Sequence, residues 1–388
     1  MASRNFIWVL AASGFASTFS ARAVEPMVGV MARDFAASAE SIALLATAFA
    51  LPYALIQPVL GPIGDAVGKQ RIMKICLAIL LISLLGSVLA PDPGTLFALR
   101  VLAGVSAGGV VPLAIALIGD RVEMAGRQVA ISRFLVSIIS GQLAGSSLAG
   151  LLAALVGWRG VFVISAGMMA AALAATLVGF RDAVAGGSFQ PREALARYRD
   201  IVANPRARAL FLLVFVEALA VFGLFPYVAP LLEQRGQGGS TEAGLVLAGF
   251  AIGGLLYSAL VSWLIRRVGL RWMLLAGGAI AGSALLAVGT GGDWTLDVAA
   301  FVALGFGFYM IHNSFQAQVT EIAPQARASA VALHAFSFFV GQALGVVLLG
   351  LGLRGLGLFA SMAVAAVAIV GVGVVAALAL TGAAQRAR

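Results

Sequence analysis

Residues 356–380 read LGLFASMAVAAVAIVGVGVVAALAL, a stretch without a single charged side chain. A helix needs about 20 apolar residues to cross the hydrocarbon core of a bilayer, so this stretch is long enough to span it. The whole chain has a similar character, because 61% of its 388 residues are hydrophobic and only 11% are charged. Soluble domains contain about twice that share of charged residues. The composition therefore indicates an integral membrane protein.

Eleven further apolar stretches precede this one, and together they predict twelve transmembrane helices. Backbone amides inside a bilayer must be hydrogen-bonded within their own segment, and the long apolar runs lack the alternation of barrel strands. The expected fold class is therefore an all-α membrane protein. The predicted spans are 6–31, 41–64, 72–90, 96–118, 129–156, 160–180, 209–232, 243–265, 272–290, 296–319, 328–352 and 356–380.

The two halves of the chain repeat each other at an offset of 200 residues. The matches in the first span of each half are Phe15 with Phe215 and Pro26 with Pro226, and those in the fifth are Gly141, Gln142 and Gly145 with Gly341, Gln342 and Gly345. The repeat predicts two pseudo-symmetric six-helix bundles, with substrate bound near the midplane between them. The predicted domains are 1–181 and 209–388, joined by a cytoplasmic linker at 182–208.

Basic residues are distributed unevenly over the connections between spans. The odd-numbered connections carry only Arg33, Arg159, Arg235 and Arg354, whereas the even-numbered ones and the termini carry most of the others. The positive-inside rule then places both termini in the cytoplasm of a bacterial cell, whose inner membrane the chain crosses repeatedly. Topology thus accounts for the net charge of +9, and nothing in the chain indicates nucleic-acid binding.

Within the linker, residues 191–202 place Leu195 and Tyr198 on one helical face and arginines elsewhere. This pattern predicts a short helix in the headgroup region of the bilayer. A solvated linker with some helix is the alternative.

Between the second and third spans the chain reads GPIGDAVGKQR, residues 61–71. This stretch resembles the loop motif of the major facilitator superfamily, G-x-x-x-D-(R/K)-x-G-(R/K)-(R/K)-(R/K). The matching positions are Gly61, Asp65, Gly68, Lys69 and Arg71, whereas Ala66 and Gln70 replace basic residues. The resemblance implies that this loop is a conformational latch, in which Asp65 stabilises one state of the transport cycle. In the second half of the chain, Arg266 occupies the position that corresponds to Asp65.

Two further stretches resemble motifs of the same superfamily. RVLAGVSAGG, residues 100–109, is similar to its R-x-x-x-G-x-x-x-G motif, and GQLAGSSLAG, residues 141–150, to its antiporter motif, with Ser146 in place of proline. The resemblance implies a drug or solute efflux type of secondary transporter, with Arg100 in the proton-relay region. An arginine that reaches the membrane surface is the alternative for Arg100.

The superfamily resemblance also implies which helices have which role. Helices 1, 4, 7 and 10 line the cavity, and helices 2, 5, 8 and 11 lie between the bundles. The fifth-span residues of each half are therefore expected at the bundle interface: Gly141, Gln142, Gly145, Gly341, Gln342 and Gly345.

Few ionisable residues fall inside the predicted spans. A charge costs about 2.5–3.5 kcal/mol at the centre of a membrane helix, so such residues usually face a cavity or a partner. The expected substrate cavity contains Arg22, Glu25, Arg133, Glu217, Phe222, His312, Asn313, Gln316 and His334. Arg22 and Glu25 stand three residues apart on one helical face and can form an ion pair. Pro26 follows them and is expected to open the helix.

The expected proton-coupling residues are Glu217, Glu25 and Arg100. Glu217 is preferred because no basic residue lies three or four positions from it. A structural carboxylate, hydrogen-bonded to a neighbouring helix, is the alternative. A permanent pair with Arg22 would keep Glu25 ionised and make it a poor proton carrier. His312 and His334 belong to the residue type that titrates near neutral pH, although packing is the alternative role for each.

These observations predict a secondary active transporter, a monomer, that exports a small organic solute by alternating access with proton coupling. The alternative is an importer, either a symporter or a facilitator, of an organic anion or polar metabolite attracted by Arg22, Arg100 and Arg133. ATP is not expected to drive transport, because the chain has no GxxxxGK[ST] loop. Neither a cofactor nor a metal is expected, since the two histidines lack the spacing of metal ligands.

Two other classes of protein are weaker alternatives. A membrane enzyme acting on lipid would need a cluster of histidines and acids near the interface, and a sensor would need a soluble output domain. The longest connection, at about 27 residues, is too short for such a domain.

Overall fold

The computed structural model describes residues 4–180, 191–323 and 327–385, and every regular element in these ranges is helical. The helices are α1 (Arg4–Arg22), α2 (Val28–Asp34), α3 (Ala39–Val67), α4 (Lys69–Val88), α5 (Pro93–Arg121), α6 (Met124–Gly179), α7 (Pro191–Ala203), α8 (Pro205–Phe222), α9 (Val228–Gln234), α10 (Ser240–Arg267), α11 (Gly269–Gly289), α12 (Trp294–Ile322), α13 (Arg327–Gly355) and α14 (Gly357–Gln385).

The chain divides into two compact units, Met1–Leu195 and Ala196–Arg388. The division falls inside the segment predicted as the linker, of which residues 182–190 lie outside the described part. We call the two the N-terminal unit and the C-terminal unit. In the N-terminal unit α1 packs chiefly on α6 and α3 on α5, and in the C-terminal unit α8 packs on α13 and α10 on α12 in the same way.

The prediction of twelve membrane crossings is confirmed. Eleven helical segments in the described ranges are long and apolar enough to span a membrane, and one of them, Arg133–Gly179, has 47 residues. That segment is interrupted at Gly157, whose φ of 71° and ψ of 167° are not helical. Because glycine alone adopts such angles without strain, Gly157 separates the fifth crossing from the sixth.

The first crossing of each unit is broken at its proline. α1 ends at Arg22, a single turn of 3₁₀ helix covers Glu25–Met27, and α2 continues from Val28. The C-terminal unit repeats this arrangement, with a 3₁₀ turn at Phe225–Tyr227 between α8 and α9. Proline has no amide hydrogen and clashes with the preceding helical turn, so Pro26 opens the helix as predicted.

Glycines on the fifth crossing bring it against the backbone of the first. A Cβ at any of four glycines would lie 2.5 Å or less from a carbonyl oxygen of the facing helix, so only glycine permits this approach. The contacts are Gly141 with Phe15, Gly145 with Phe19, Gly341 with Phe215, and Gly345 with Leu219. The four contacts form two pairs, and the members of each pair are offset by 200 residues.

A third glycine contact repeats at a different offset. Gly104 of α5 meets the backbone of Phe49 in α3, and Gly305 of α12 meets the backbone of Phe250 in α10. Gly305 lies 201 residues after Gly104, and Phe250 lies 201 residues after Phe49. The C-terminal unit therefore has one additional residue between its first and second crossings. The connection from α2 to α3 covers residues 35–38, whereas that from α9 to α10 covers 235–239.

Helix α7 has the amphipathic character that the linker sequence predicts. Leu195 and Val202 are exposed on it, Ile201 is buried, and Arg192, Arg197 and Arg199 are exposed. Only Asn204 separates α7 from Pro205, the first residue of the membrane-spanning α8.

Candidate functional site

The broken first crossing of the N-terminal unit contains a buried ion pair. Arg22 Nη1 lies 2.6 Å from Glu25 Oε1, and both residues are almost completely buried. Ser146 of α6 donates a hydrogen bond to the other carboxylate oxygen, Glu25 Oε2, over 3.1 Å. Both oxygens of Glu25 therefore accept from donors in the same unit, which stabilises the ionised carboxylate.

Arg100 fills the space next to this pair. Its guanidinium donates to the carbonyl oxygens of Ser20 and Ala21, each over 3.1 Å, and Nε contacts the carbonyl of Leu45. Ser20 and Ala21 are in the last turn of α1, where carbonyls lack the amide four residues ahead. Arg100 caps this helix end and lies 4.5 Å above the ring of Phe49. It is 1% exposed, so it points into the unit and not to the membrane surface.

The C-terminal unit contains a different cluster of polar groups. Glu217 of α8 has no exposed surface, and its Oε2 lies 3.0 Å from Nδ1 of His312 in α12. The other ring nitrogen of His312, Nε2, lies 3.2 Å from the side-chain nitrogen of Gln316. If Gln316 donates to Nε2, then Nδ1 carries the proton and donates to Glu217.

Aromatic rings surround His312 on three helices. The ring of Phe308 stacks on it with centroids 4.9 Å apart, and the centroids of Phe338 and His334 lie 5.1 and 5.6 Å away. Phe222 contacts Phe308 and Phe338 edge-on. The predicted cavity residues Glu217, Phe222, His312, Gln316 and His334 thus form one cluster, which we call the Glu217–His312 cluster.

Three buried polar atoms near this cluster have no hydrogen-bond partner. They are Oε1 of Glu217, Nε2 of His334 and Oε1 of Gln342. His334, Phe338 and Gln342 follow one another at intervals of four on α13, and therefore lie along one face of that helix. Buried polar atoms are normally hydrogen-bonded, so unpaired ones on two helices that carry the cluster, α8 and α13, call for an explanation.

Other predicted site residues lie elsewhere. Asn313 hydrogen-bonds the hydroxyl of Tyr257 and not the cluster. Arg133 is exposed on α6, and its place in the substrate cavity stays a prediction. Gly141, Gly145, Gly341 and Gly345 each contact the first crossing of their own unit, and their place between the bundles stays a prediction.

The predicted latch has a partner that the sequence did not reveal. Lys69 Nζ lies 2.7 Å from Oδ2 of Asp120, at the end of α5. Gly68 has a φ of 104°, which lets α3 end and α4 begin within one residue. The side chains of Asp65 and of the neighbouring Ala66 lie outside the described part, and Arg71 is exposed.

Sequence reasoning also missed Ser146 and Gln342 as members of the two sites. Ser146 adjoins Gly145, and Gln342 adjoins Gly341, so each follows a glycine that contacts the first crossing. The glycine positions could have indicated both, because a polar residue next to a close helix contact usually finds a partner in the facing helix.

Two like helical units with broken first crossings define a class, the multi-pass membrane transporters built from repeats. The chain belongs to the Major Facilitator Superfamily (MFS), whose family model matches residues 10–346 and 210–387. The predicted resemblance is thereby confirmed, and the chain is a transporter and not an enzyme.

Relatives and solved structures agree with this assignment. The MFS-type transporter YceJ of Bacillus subtilis (strain 168) is 24% identical over 354 residues, which cover 89% of this chain and 88% of YceJ. The multi-drug resistance efflux pump PmrA of Streptococcus pneumoniae is 25% identical over 249 residues, 62% of this chain and 60% of PmrA. The structure of the nucleoside transporter NupG matches with a TM-score of 0.73 at 17% identity, over 97% of this chain and 99% of NupG.

Proposed function

We propose that this transporter exports a small organic solute by alternating access and that Glu217 carries the coupled proton. The observation that supports the proposal is the contact between Glu217 and His312. Glu217 is completely buried, and the partner at 3.0 Å is an imidazole, not a guanidinium or an ammonium. A buried carboxylate without a cationic partner is costly while ionised, and protonation removes that cost.

Glu25 and Glu217, two of the buried carboxylates in the described residues, differ in this respect. Glu25 lies 2.6 Å from the guanidinium of Arg22 and accepts a hydrogen bond from Ser146, so a fixed cation compensates its charge. Glu217 contacts a ring that is neutral or charged depending on its protonation. The Glu217–His312 cluster can therefore gain or lose one proton without separating its members, which is what a proton carrier must do.

The direction of transport is part of the proposal. PmrA is named as an efflux pump, and the aromatic rings around His312 suit an amphipathic compound more than a strongly hydrated one. The alternative is import of an organic anion or polar metabolite. The excess of buried positive charge in the N-terminal unit favours it. There Arg22 and Arg100 are both buried beside the single carboxylate of Glu25.

We also infer that the protein is a monomer of the bacterial inner membrane with both termini in the cytoplasm. The distribution of basic residues over the connections supports this orientation. A C-terminal fusion to green fluorescent protein, which fluoresces only inside the cell, should be bright. A dark fusion of full length would contradict the orientation.

Proteoliposomes that contain a pH-sensitive dye test the coupling. With an imposed proton gradient, a panel of cationic, neutral and anionic compounds should produce compound-dependent proton flux in the wild type. Glu217→Gln removes the titratable group but keeps the shape and one hydrogen bond to His312, so the flux should fall to background. The sign of the flux relative to the compound distinguishes antiport from symport.

Glu321→Gln is the matched control, because Glu321 is exposed at the end of α12. It removes the same charge and should keep the wild-type flux. Compound transport without proton flux in all three proteins would show a facilitator and would end the coupling proposal.

A further inference from the structure

The repeat provides an internal comparison for the Glu217–His312 cluster. The two units share their glycine contacts at offsets of 200 in the first and fifth crossings and 201 in the fourth. By these offsets, the positions of Glu217, His312 and His334 correspond to Ser17, Val111 and Phe134 in the N-terminal unit. Phe134 is completely buried there, next to Gly14 of α1. The same backbone packing is thus achieved with no carboxylate or imidazole at these positions.

This comparison shows that folding does not require the polar groups. The N-terminal unit has Ser17, Val111 and Phe134 at the equivalent positions, whereas Glu217 and His334 of the C-terminal unit each leave a polar atom unpaired. An unpaired buried donor or acceptor lowers stability. The C-terminal unit therefore has a loss of stability at these positions that the N-terminal unit avoids. A ligand that supplies the missing hydrogen bonds would recover this cost.

The chemistry of the unpaired atoms specifies that ligand. Oε1 of Glu217 and Oε1 of Gln342 are oxygens that accept hydrogen bonds, and Nε2 of His334 can accept or donate depending on its tautomer. A ligand that satisfies them must present hydrogen-bond donors. The ring of Phe222 packs edge-on against those of Phe308 and Phe338 beside these atoms, and aromatic rings favour contact with a further planar ring.

We propose that the Glu217–His312 cluster binds a planar aromatic solute through its N–H groups, donated to Glu217 and Gln342 and completed at His334. This inference rests on the proposed transport function and specifies its substrate class. Compounds of the same shape whose nitrogen is fully alkylated leave the two oxygens unpaired and bind weakly. Gln342 is therefore a specificity residue, separate from the carboxylate that carries the proton.

Two neutral fluorescent probes differ in this feature through two N-methyl groups. 7-Amino-4-methylcoumarin has two N–H donors, and 7-dimethylamino-4-methylcoumarin has the same ring and none. Equilibrium binding to the purified full-length protein, without any proton gradient, should favour the amino compound at least about tenfold, the ratio that one or two buried hydrogen bonds supply. The preference should disappear in Gln342→Met and decrease in His334→Phe, which introduces the residue that the N-terminal unit has at the equivalent position.

Gln234→Met is the matched control, because it makes the same change at an exposed position at the end of α9. It should bind both probes like the wild type. Equal binding of the two probes by the wild type, or binding of neither, would overturn the inference and leave the unpaired atoms to buried water. A preference for the amino probe that survives in Gln342→Met would overturn the assignment of that residue.

This experiment can fail independently of the coupling experiment. If Glu217→Gln retains compound-dependent proton flux while the wild type keeps its preference for the amino probe, the proton carrier is wrong and the binding site stands. If the preference is absent while Glu217→Gln loses the flux, the coupling stands and the substrate class is wrong.

Discussion

Replacing Gly104 with valine is expected to lower the melting temperature of the protein strongly. A Cβ at this position would lie 3.0 Å from the carbonyl carbon of Phe49 and 3.1 Å from its Cα, both of which are backbone atoms of α3. Backbone cannot rotate away as a side chain can, so α3 and α5 must separate and lose their packing. We expect a loss of more than about 4 kcal/mol of stability, which is exceptional for one substitution.

Cys76 supplies the measurement, because it is the only cysteine and is buried. A thiol-reactive dye reports its exposure as the purified protein is heated in detergent, and Gly104→Val should react at the lowest temperature. Gly167→Val is the matched control. Gly167 is an exposed helical glycine with no atom within 4 Å of an added Cβ, so both variants have the same helix propensity. Similar melting of the two variants would show that the close approach at Gly104 is unimportant.

Replacing Glu25 with leucine should destabilise the N-terminal unit by about 3–5 kcal/mol, the usual cost of removing one partner of a buried ion pair. Arg22 then loses the carboxylate that it contacts at 2.6 Å, and its charge stays buried. The double variant Arg22→Met with Glu25→Leu removes both charges and should recover most of the loss. Dye access to Cys76 again gives the melting temperature.

The Asp34–Arg159 pair is the control for this experiment. It joins the same kinds of side chain, but these are 45% and 44% exposed. Water screens an exposed pair, so Asp34→Asn should cost no more than about 1 kcal/mol. A double variant as unstable as Glu25→Leu alone would mean that the lost energy comes from packing and not from the unpaired charge.

Features that depend on local sequence could be predicted. The length of apolar stretches predicts the crossings, and the break at Pro26 depends on a residue that lacks the amide hydrogen of a regular helix. The pairing of Arg22 with Glu25 could also be predicted, because the two residues are only three positions apart. The glycine contacts of Gly141 and Gly341 were visible as a repeat but not as contacts.

Features that depend on the rotation of one helix against another could not be predicted. Glu217 and His312 are 95 residues apart and lie on different helices. An apolar helix gives little indication of which face meets its neighbour, because lipid and protein interior are equally apolar. The same reason conceals the contact of Arg100 with the end of α1 and that of Lys69 with Asp120. The unpaired Gln342 could be recognised only after its neighbours had been placed.

The change of offset between the two units has a consequence for how this fold tolerates change. The first crossings correspond at 200 and the second and fourth at 201, yet each unit keeps the same glycine contacts. The units therefore differ by one residue between their first and second crossings, and by one in the opposite sense between their fourth and fifth, where the offset returns to 200. The contacting helix faces are the same in both units, whereas the connection from α2 to α3 and that from α9 to α10 differ in length. This connection is therefore the place to insert an epitope or a label.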